Sequence, residues 1–407
     1  MERAILALII IQIFYSCLAP KQTDSLNKSA LQRKKANPVC GSGNILRKLK
    51  IGPLENYADL NAAWLDSNTI IIMADKYKIP IDEKGLPRPD TFDWTKAVYE
   101  FYKYTLDDDK LEKILEYPMG MDPGFLYLKI LDDGTLAFKT GEKLVRYSIK
   151  KRKILLEYTY QHKYLDLALI DISPDGKKIA YFWFDKGAIA VIDYVDTSVG
   201  AIKTDKVPVS GIELLNYPMW SADSRYIMGY SPTSGDEVNS VTVIDTQNMV
   251  YKINRFKNHY SDNARVYRGS DPGTYIKYDI PGSGLITLEK YDVATGNAEK
   301  IHVASSIAKT STASRNIDTG KSVMVISSID FSKIDKPDGK VITSFIAYNY
   351  LTKRQCESEK LLGYSPGAVP LISQFEDAAL VLICKIPKNP DEYPPWSIAV
   401  FDFSFIK

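Results

Sequence analysis

Histidine is scarce in this chain, at three residues in 407, and cysteine is limited to four. No CxxC pair and no Cys/His cluster with ligand spacing occurs, which argues against a zinc site. After the first few residues no apolar run approaches 18 positions, so the rest of the chain is expected to be soluble. An excess of either charge is also missing. Lys and Arg total 52 against 50 Asp and Glu, a net +2, which makes no electrostatic case for a nucleic-acid partner. Tyrosine, by contrast, is plentiful at 27 residues. With 45% hydrophobic and 25% charged residues, the composition excludes a disordered chain, a collagen-like fibre and a polytopic membrane protein.

The exception to the missing apolar runs is the start, MERAILALIIIQIFYSC. Glu2 and Arg3 precede a run from Ala4 to Tyr15 that is too short to span a bilayer of about 30 Å but fits the h-region of an export signal. Ser16-Cys17 then resembles a bacterial lipobox, which implies a lipid-modified Cys17 as the mature N-terminus. Phe14 and Tyr15 depart from its usual Leu and small residue. Cleavage near Ala19 with simple secretion, or an uncleaved anchor, are the alternatives. Residues 18–43 are mostly polar and nearly free of aromatic and β-branched side chains, so they cannot build a core. As a flexible coil they would reach roughly 28 Å, a tether length. The expected organisation is an export signal over 1–17, a tether over 18–43 and one folded domain over 44–407.

A repeat runs through that domain. Ile172-Ser-Pro-Asp-Gly-Lys-Lys-Ile-Ala-Tyr-Phe182 matches Trp220-Ser-Ala-Asp-Ser-Arg-Tyr-Ile-Met-Gly-Tyr230 in pattern: an Asp-bearing turn, then an apolar strand. Five weaker copies give acidic turn positions at Asp66, Asp133, Asp175, Asp223, Asp271, Asp318 and Asp377. From Asp133 to Asp318 the spacings are 42, 48, 48 and 47 residues, the period of a four-stranded propeller blade. An Asp side chain can accept from the backbone two residues on, and a neighbouring Gly or Asn tolerates positive φ. Each unit continues with a second apolar strand and then an alternating polar one, such as KLEKILEY (110–117) or KILLEYTY (153–160), suited to an exposed edge. The last unit lacks such a strand. Residues 45–51, NILRKLKI in their setting, read as its replacement beside 397–405, closing the ring.

The two best repeats, ISPDGKKIAYF and PMWSADSRYIMGY, resemble those of TolB-type, WD40-like β-propellers of the bacterial envelope. The resemblance covers residues 44–407 and implies an all-β fold: a single seven-bladed propeller of four-stranded blades. Six or eight blades are the alternatives. Two segments exceed the period, 80–94 and 329–341, and read as loop insertions. On this plan Cys40 sits beside the outer strand of blade seven and Cys356 on that of blade six, which suggests a Cys40–Cys356 disulfide. Cys384 reads as buried in a core strand.

Catalytic patterns are weak. Gly363-Tyr-Ser365-Pro-Gly367 has the form of a nucleophile elbow. In a true elbow the residue after Ser donates its N–H to an oxyanion, and Pro366 has none. His162, His259 and His302 fall in different units. Seven blades leave no room for a hydrolase domain. No catalytic residue and no cofactor is expected, although a structural calcium is allowed for. Binding is expected of aromatic and charged groups near the mouths or first strands: Trp94 and Trp396 in Pro-bearing contexts, Tyr217, Asp166 and Arg265. Tyr99, Phe101, Tyr102 and Tyr104 read as one strand covered on both faces. The resulting expectation is a monomeric, non-enzymatic envelope protein that presents a propeller face to a protein or peptide and meets the membrane through its lipid anchor. A propeller hydrolase or lactonase-like enzyme with an axial metal, and an adhesin binding host matrix or glycan, are the competing expectations.

Overall fold

The computed structural model describes residues 46–49, 60–76, 93–120, 127–140, 143–159, 169–185, 187–196, 201–208, 216–221, 223–232, 238–248, 250–257, 265–268, 274–279, 285–292, 297–304, 317–319, 322–330, 341–366, 370–373, 376–385 and 396–406. By contacts the chain divides into Met1–Pro38 and Val39–Lys407, and every described residue lies in the second unit.

Those residues form an all-β structure of successive antiparallel sheets. The first holds Leu60–Trp64, Thr69–Lys76, Val98–Thr105 and Lys110–Pro118 in chain order. The second repeats the plan with Leu128–Ile130, Leu136–Lys139, Lys143–Ser148 and Lys153–Thr159, and the third with Leu169–Ile172, Lys178–Asp185, Gly187–Asp196 and Ala201–Pro208. Asn216–Trp220, Tyr226–Pro232, Val238–Asp245 and Val250–Lys257 make the fourth. Arg265–Arg268, Thr274–Asp279, Leu285–Asp292 and Ala298–Ala304 make the fifth. In the sixth, Ile317–Thr319, Val323–Asp330 and Ile342–Asn349 are followed by an edge divided between Gln355–Glu357 and Leu361–Leu362. In the seventh, Tyr364–Pro366 and Leu371–Ile372 both pair with Ala378–Lys385, which pairs with Trp396–Asp402. The far edge of this sheet is Leu46–Lys48, with Leu46 opposite Phe401 and Lys48 opposite Ala399.

The turn chemistry of the repeat is realised. Asp66 Oδ1 accepts from Asn68 N at 2.9 Å, Asp133 Oδ1 from Thr135 N at 3.0 Å, Asp175 Oδ1 from Lys177 N at 3.1 Å and Asp223 Oδ1 from Arg225 N at 3.2 Å. The residue after the Asp takes positive φ at Gly134 (72°), Gly176 (69°) and Ser224 (58°). Asp318 departs from this pattern. It lies within the strand Ile317–Thr319, not in a turn, and its Oδ2 accepts from Ile372 N of the seventh sheet at 2.8 Å. Asp271 lies outside the described residues.

In sheets one, two, six and seven both faces of a middle strand are apolar because neighbouring sheets cover both sides. In Thr69–Lys76, Ile70, Ile72 and Ala74 share a core cluster with Leu380, Leu382 and Ile398 of the seventh sheet. Ile71 and Met73 point the other way, into a cluster with Leu136, Phe138 and Val145 of the second. Tyr99 and Phe101 against Tyr102 and Tyr104 divide in the same manner, as expected for a strand covered on both faces. Similar clusters join sheets two and three, five and six, and six and seven. Burying one such Leu or Ile side chain is worth roughly 1.5–3 kcal/mol, so the sheet interfaces carry the fold. No helix among the described residues is long and apolar enough to cross a membrane.

Candidate functional site

First strands are the place to look for a shared site, because each sheet contributes one. Asp171 is the ionisable group that dominates them. Its strand, Leu169–Ile172, is otherwise apolar, and Asp171 is buried. Its Oδ1 accepts from Tyr127 Oη at 2.5 Å and from Lys129 Nζ at 2.9 Å, both from the second sheet's side. Its Oδ2 accepts from Trp220 N at 3.2 Å, and its backbone oxygen from Trp220 Nε1 at 3.1 Å, on the fourth sheet. Lys129 Nζ also reaches Ile172 O at 2.6 Å. One carboxylate therefore joins three consecutive sheets. A buried charge needs such pairing to persist.

The Asp-bearing turns are joined in the same way. Asp132 N donates to Pro174 O at 2.9 Å, and Asp175 N to Ser224 Oγ at 3.1 Å. Arg146 is buried and forked: Nε to Thr135 Oγ1 at 3.0 Å, Nη1 to Gly176 O at 3.2 Å, Nη2 to Asp133 Oδ2 at 2.5 Å. Partial burial alone would raise the Asp133 carboxyl. The Thr135 bonds and the Arg146 guanidinium outweigh it and hold Asp133 below the usual carboxylate range. Lys178 Nζ reaches Ser224 O and Thr246 Oγ1, both at 3.2 Å, and Glu376 accepts from Ser322 across sheets six and seven. These groups hold neighbouring sheets together.

A second polar group stands where the first sheet enters its third strand, Val98–Thr105. Glu100 is buried and accepts from Lys76 Nζ at 2.9 Å, Lys113 Nζ at 2.7 Å and Tyr102 Oη at 2.6 Å. Glu116 lies opposite Glu100 in the ladder, and Lys113 bridges the two carboxylates. The bonds to Glu100 and Glu116 raise the Lys113 ammonium. Trp94 opens the 3-10 turn Trp94–Lys96 just before this strand, and Trp396 opens the corresponding strand of the seventh sheet. Their backbone places differ: Trp94 precedes its strand, which starts at Val98, whereas Trp396 is the first residue of Trp396–Asp402.

The remaining expected site residues are dispersed. Tyr217 and Arg265 lie on the first strands of sheets four and five. The side chains of Trp94, Trp396, Tyr217 and Arg265, like all of Asp166, Cys17 and Cys40, lie outside the described part of the structure. Asp171, five positions after Asp166, is the inner carboxylate that sequence reasoning passed over. Its signal was a lone acid in an apolar first strand, with a lone Lys in the preceding one. Cys356 is on the sixth sheet's outer strand, as expected, and is disulfide-bonded, while Cys384 is buried in a core strand. His302 is exposed on Ala298–Ala304, and His162 and His259 lie outside the described residues. Among the described residues no group of three or more His, Cys, Asp or Glu is placed to hold a metal ion.

The GxSxG segment is structural in its backbone. Gly363 has φ 77° and donates its N–H to Val341 O at 2.8 Å, turning the chain from the sixth sheet's edge into the seventh. Ser365 then lies within a strand, opposite Cys384, where an elbow would need a strand-to-helix turn.

No protein-family model and no curated protein sequence matches the chain. Solved structures do. Hydrazine synthase of Kuenenia stuttgartiensis is 14% identical with a TM-score of 0.43, over 65% of this chain and 77% of that one. TolB of Agrobacterium tumefaciens is 14% identical with a TM-score of 0.40, over 65% of this chain and 89% of that one. A prolyl endopeptidase is 12% identical with a TM-score of 0.50, over 86% of this chain and 51% of that one. This chain thus spans about half the length of that enzyme. At these identities the likeness concerns fold alone, and with the run of four-stranded antiparallel sheets it supports a β-propeller.

Proposed function

We propose that the protein is a seven-bladed, ring-closed propeller that works as a non-enzymatic binding or scaffolding platform in a bacterial envelope, with a protein or peptide as its ligand. The single observation that carries this reading is the use of the inner carboxylates. Asp171 is committed to three sheets and Asp318 to a backbone amide of the next, so these acids serve assembly. Recognition then falls to the loops, with Trp94 and Trp396 as its aromatic candidates. Ring closure is supported by Leu46–Lys48 on the seventh sheet and by the core cluster shared between sheets seven and one.

Export through the N-terminal signal, lipidation at Cys17 and a tether over 18–43 complete the proposal. They would hold the propeller within roughly 28 Å of a membrane surface. No metal or cofactor is required, and one chain suffices for the platform.

Crosslinking in native envelopes followed by affinity purification, with metal analysis of the same preparation, tests this. A stoichiometric protein partner whose capture is lost in the double variant Trp94→Ala, Trp396→Ala supports the platform. A tightly bound divalent ion with no partner overturns it in favour of an axial-site enzyme.

A further inference from the structure

The hairpin that joins the third and fourth strands of the second sheet carries four consecutive cations, Lys150, Lys151, Arg152 and Lys153, all exposed. Arg152 Nη2 pairs with Glu112 Oε1 at 3.0 Å, while the three lysines have no acid partner among the described residues. Ile154 and Leu155 follow directly, each 41% exposed, the one adjacent pair of exposed large hydrophobics among the described residues. We infer that this hairpin docks on an anionic lipid surface, with the lysines on headgroups and the two aliphatic side chains at the boundary with the acyl chains. The inference rests on the membrane anchoring proposed above and adds which end of the sheets faces the bilayer.

Two features select a membrane as the occupant. One is where the chain joins the fold. The strand Trp396–Asp402 ends at Asp402, and Leu46 stands opposite Phe401, so residues 18–45 join the seventh sheet at that end. Arg47 Nη2 there donates to Leu106 O at 3.1 Å and to Asp109 Oδ1 at 2.7 Å, both in the hairpin between the first sheet's third and fourth strands. Glu112, at the start of the strand that follows, takes the Arg152 pair, so the second sheet's hairpin stands at the same end. The anchor proposed at Cys17 and the basic hairpin therefore belong to one rim. The other feature is charge. Asp107 and Asp108 on the first sheet's hairpin are exposed and repel an anionic surface, but exposed Lys110 beside them offsets one, and the Lys150–Lys153 run stays in excess. Glu157, further along the same strand as Ile154, is held by Lys143 at 3.6 Å.

Each Lys at an anionic leaflet raises partitioning by roughly fivefold, so three give about a hundredfold. That is weak attachment alone, yet it orients a domain already held by one lipid chain. The orientation has a consequence for recognition. In the first sheet Lys76 pairs with Val98 at the end opposite its hairpin, and the turn Trp94–Lys96 lies there. Trp396, opposite Cys384, opens its strand at the corresponding end of the seventh sheet. Docking turns the end with both aromatic candidates away from the bilayer.

Lysine acylation mapped by mass spectrometry, on the full chain recovered from its exporting host and placed on protein-free vesicles, tests the inference. The probes are vesicles of phosphatidylcholine alone and of phosphatidylcholine mixed with phosphatidylglycerol. Lys150, Lys151 and Lys153 should acylate about fivefold more slowly on the anionic vesicles only. The protection should vanish in about 1 M salt, where the screening length is about 3 Å. Lys96 and Lys385, exposed at the opposite end, should keep their rates. In the double variant Lys150→Glu, Lys153→Glu, Lys151 should acylate equally on both vesicles. Equal wild-type rates on the two vesicles, or slowing at Lys96 and Lys385 instead, overturns the docking. Protection that appears only in whole envelopes also overturns it and makes the occupant an acidic macromolecule. The N-terminal peptide of the same digest reports Cys17 separately. A chain without lipid overturns the anchoring, and charge-dependent protection after flotation with the anionic vesicles still decides the docking.

Discussion

At the residue scale, Gly134 and Gly176 form a natural comparison. Both follow the turn Asp and both have positive φ, 72° and 69°. A Cβ at Gly134 meets nothing within 4 Å, whereas one at Gly176 lies 3.0 Å from Arg146 Cζ and 3.0 Å from Leu131 Cδ1. Gly134→Ala should therefore cost only the backbone penalty, about 1 kcal/mol, and Gly176→Ala about 3 kcal/mol, read as the difference between urea midpoints. Equal costs would remove Arg146 from the turn junction. Asp171→Ala removes the carboxylate shared by Tyr127, Lys129 and Trp220 N and should cost about 3 kcal/mol. Asp133 adds a pH dependence. Its folded pKa is depressed, so its stabilisation is full above the unfolded value of about 3.9 and fades as pH falls through the lower folded value. Asp133→Asn should lower stability at pH 7 by at most about 1 kcal/mol, since water screens the half-exposed group, and should flatten the acid limb of the stability curve below about pH 4. The Asp turns were legible because an Asx turn is set by two or three adjacent residues. Asp171 was not, because its partners are 42 to 49 positions away.

At the element scale, strand order was legible wherever apolar alternation and turn spacing agreed, and the replacement edge at 45–51 was found because its pattern matches other fourth strands. The joint between sheets six and seven was not legible. There the sixth sheet's edge is divided by Ser358, whose Oγ accepts from Phe345 N at 2.9 Å in place of a ladder partner. The seventh sheet's first edge is likewise split into Tyr364–Pro366 and Leu371–Ile372. Strands of two or three residues carry too little periodicity to register in sequence. For the closing element, burial decides over charge. Leu49 donates its N–H to Ile398 O at 2.8 Å and is buried in the cluster between sheets seven and one. Leu49→Ala should cost about 2–3 kcal/mol, against about 0.5 kcal/mol for Arg47→Ala, whose pair with Asp109 is exposed. Thermal melts of the two variants compare these directly, and an equal loss would place the strand's anchorage in its ion pair.

At the scale of the whole molecule, sequence spacing could suggest a ring but could not close it, because closure depends on two ends meeting. The proposed closure requires sheets one and seven to have neighbours on both sides. Ile70, Ile72 and Ala74 pack with Leu380, Leu382 and Ile398, and Trp64 Nε1 donates to Leu371 O at 2.8 Å across the same junction. In an open stack of sheets each unit holds only its neighbours, so the two terminal units open first. In a closed ring there is no terminal unit, and the amides of Ile70–Ala74 and Leu380–Leu382 should exchange as slowly as those of Phe345–Ala347 in the sixth sheet. Native-state hydrogen exchange followed at peptide resolution measures this. Trp64→Phe, which removes one cross-junction bond worth about 1 kcal/mol, should speed exchange on both flanking sheets together. If sheets one and seven exchange early and independently in the wild type, the molecule is an open stack, and the proposed propeller face is not a fixed surface on which a partner could be read.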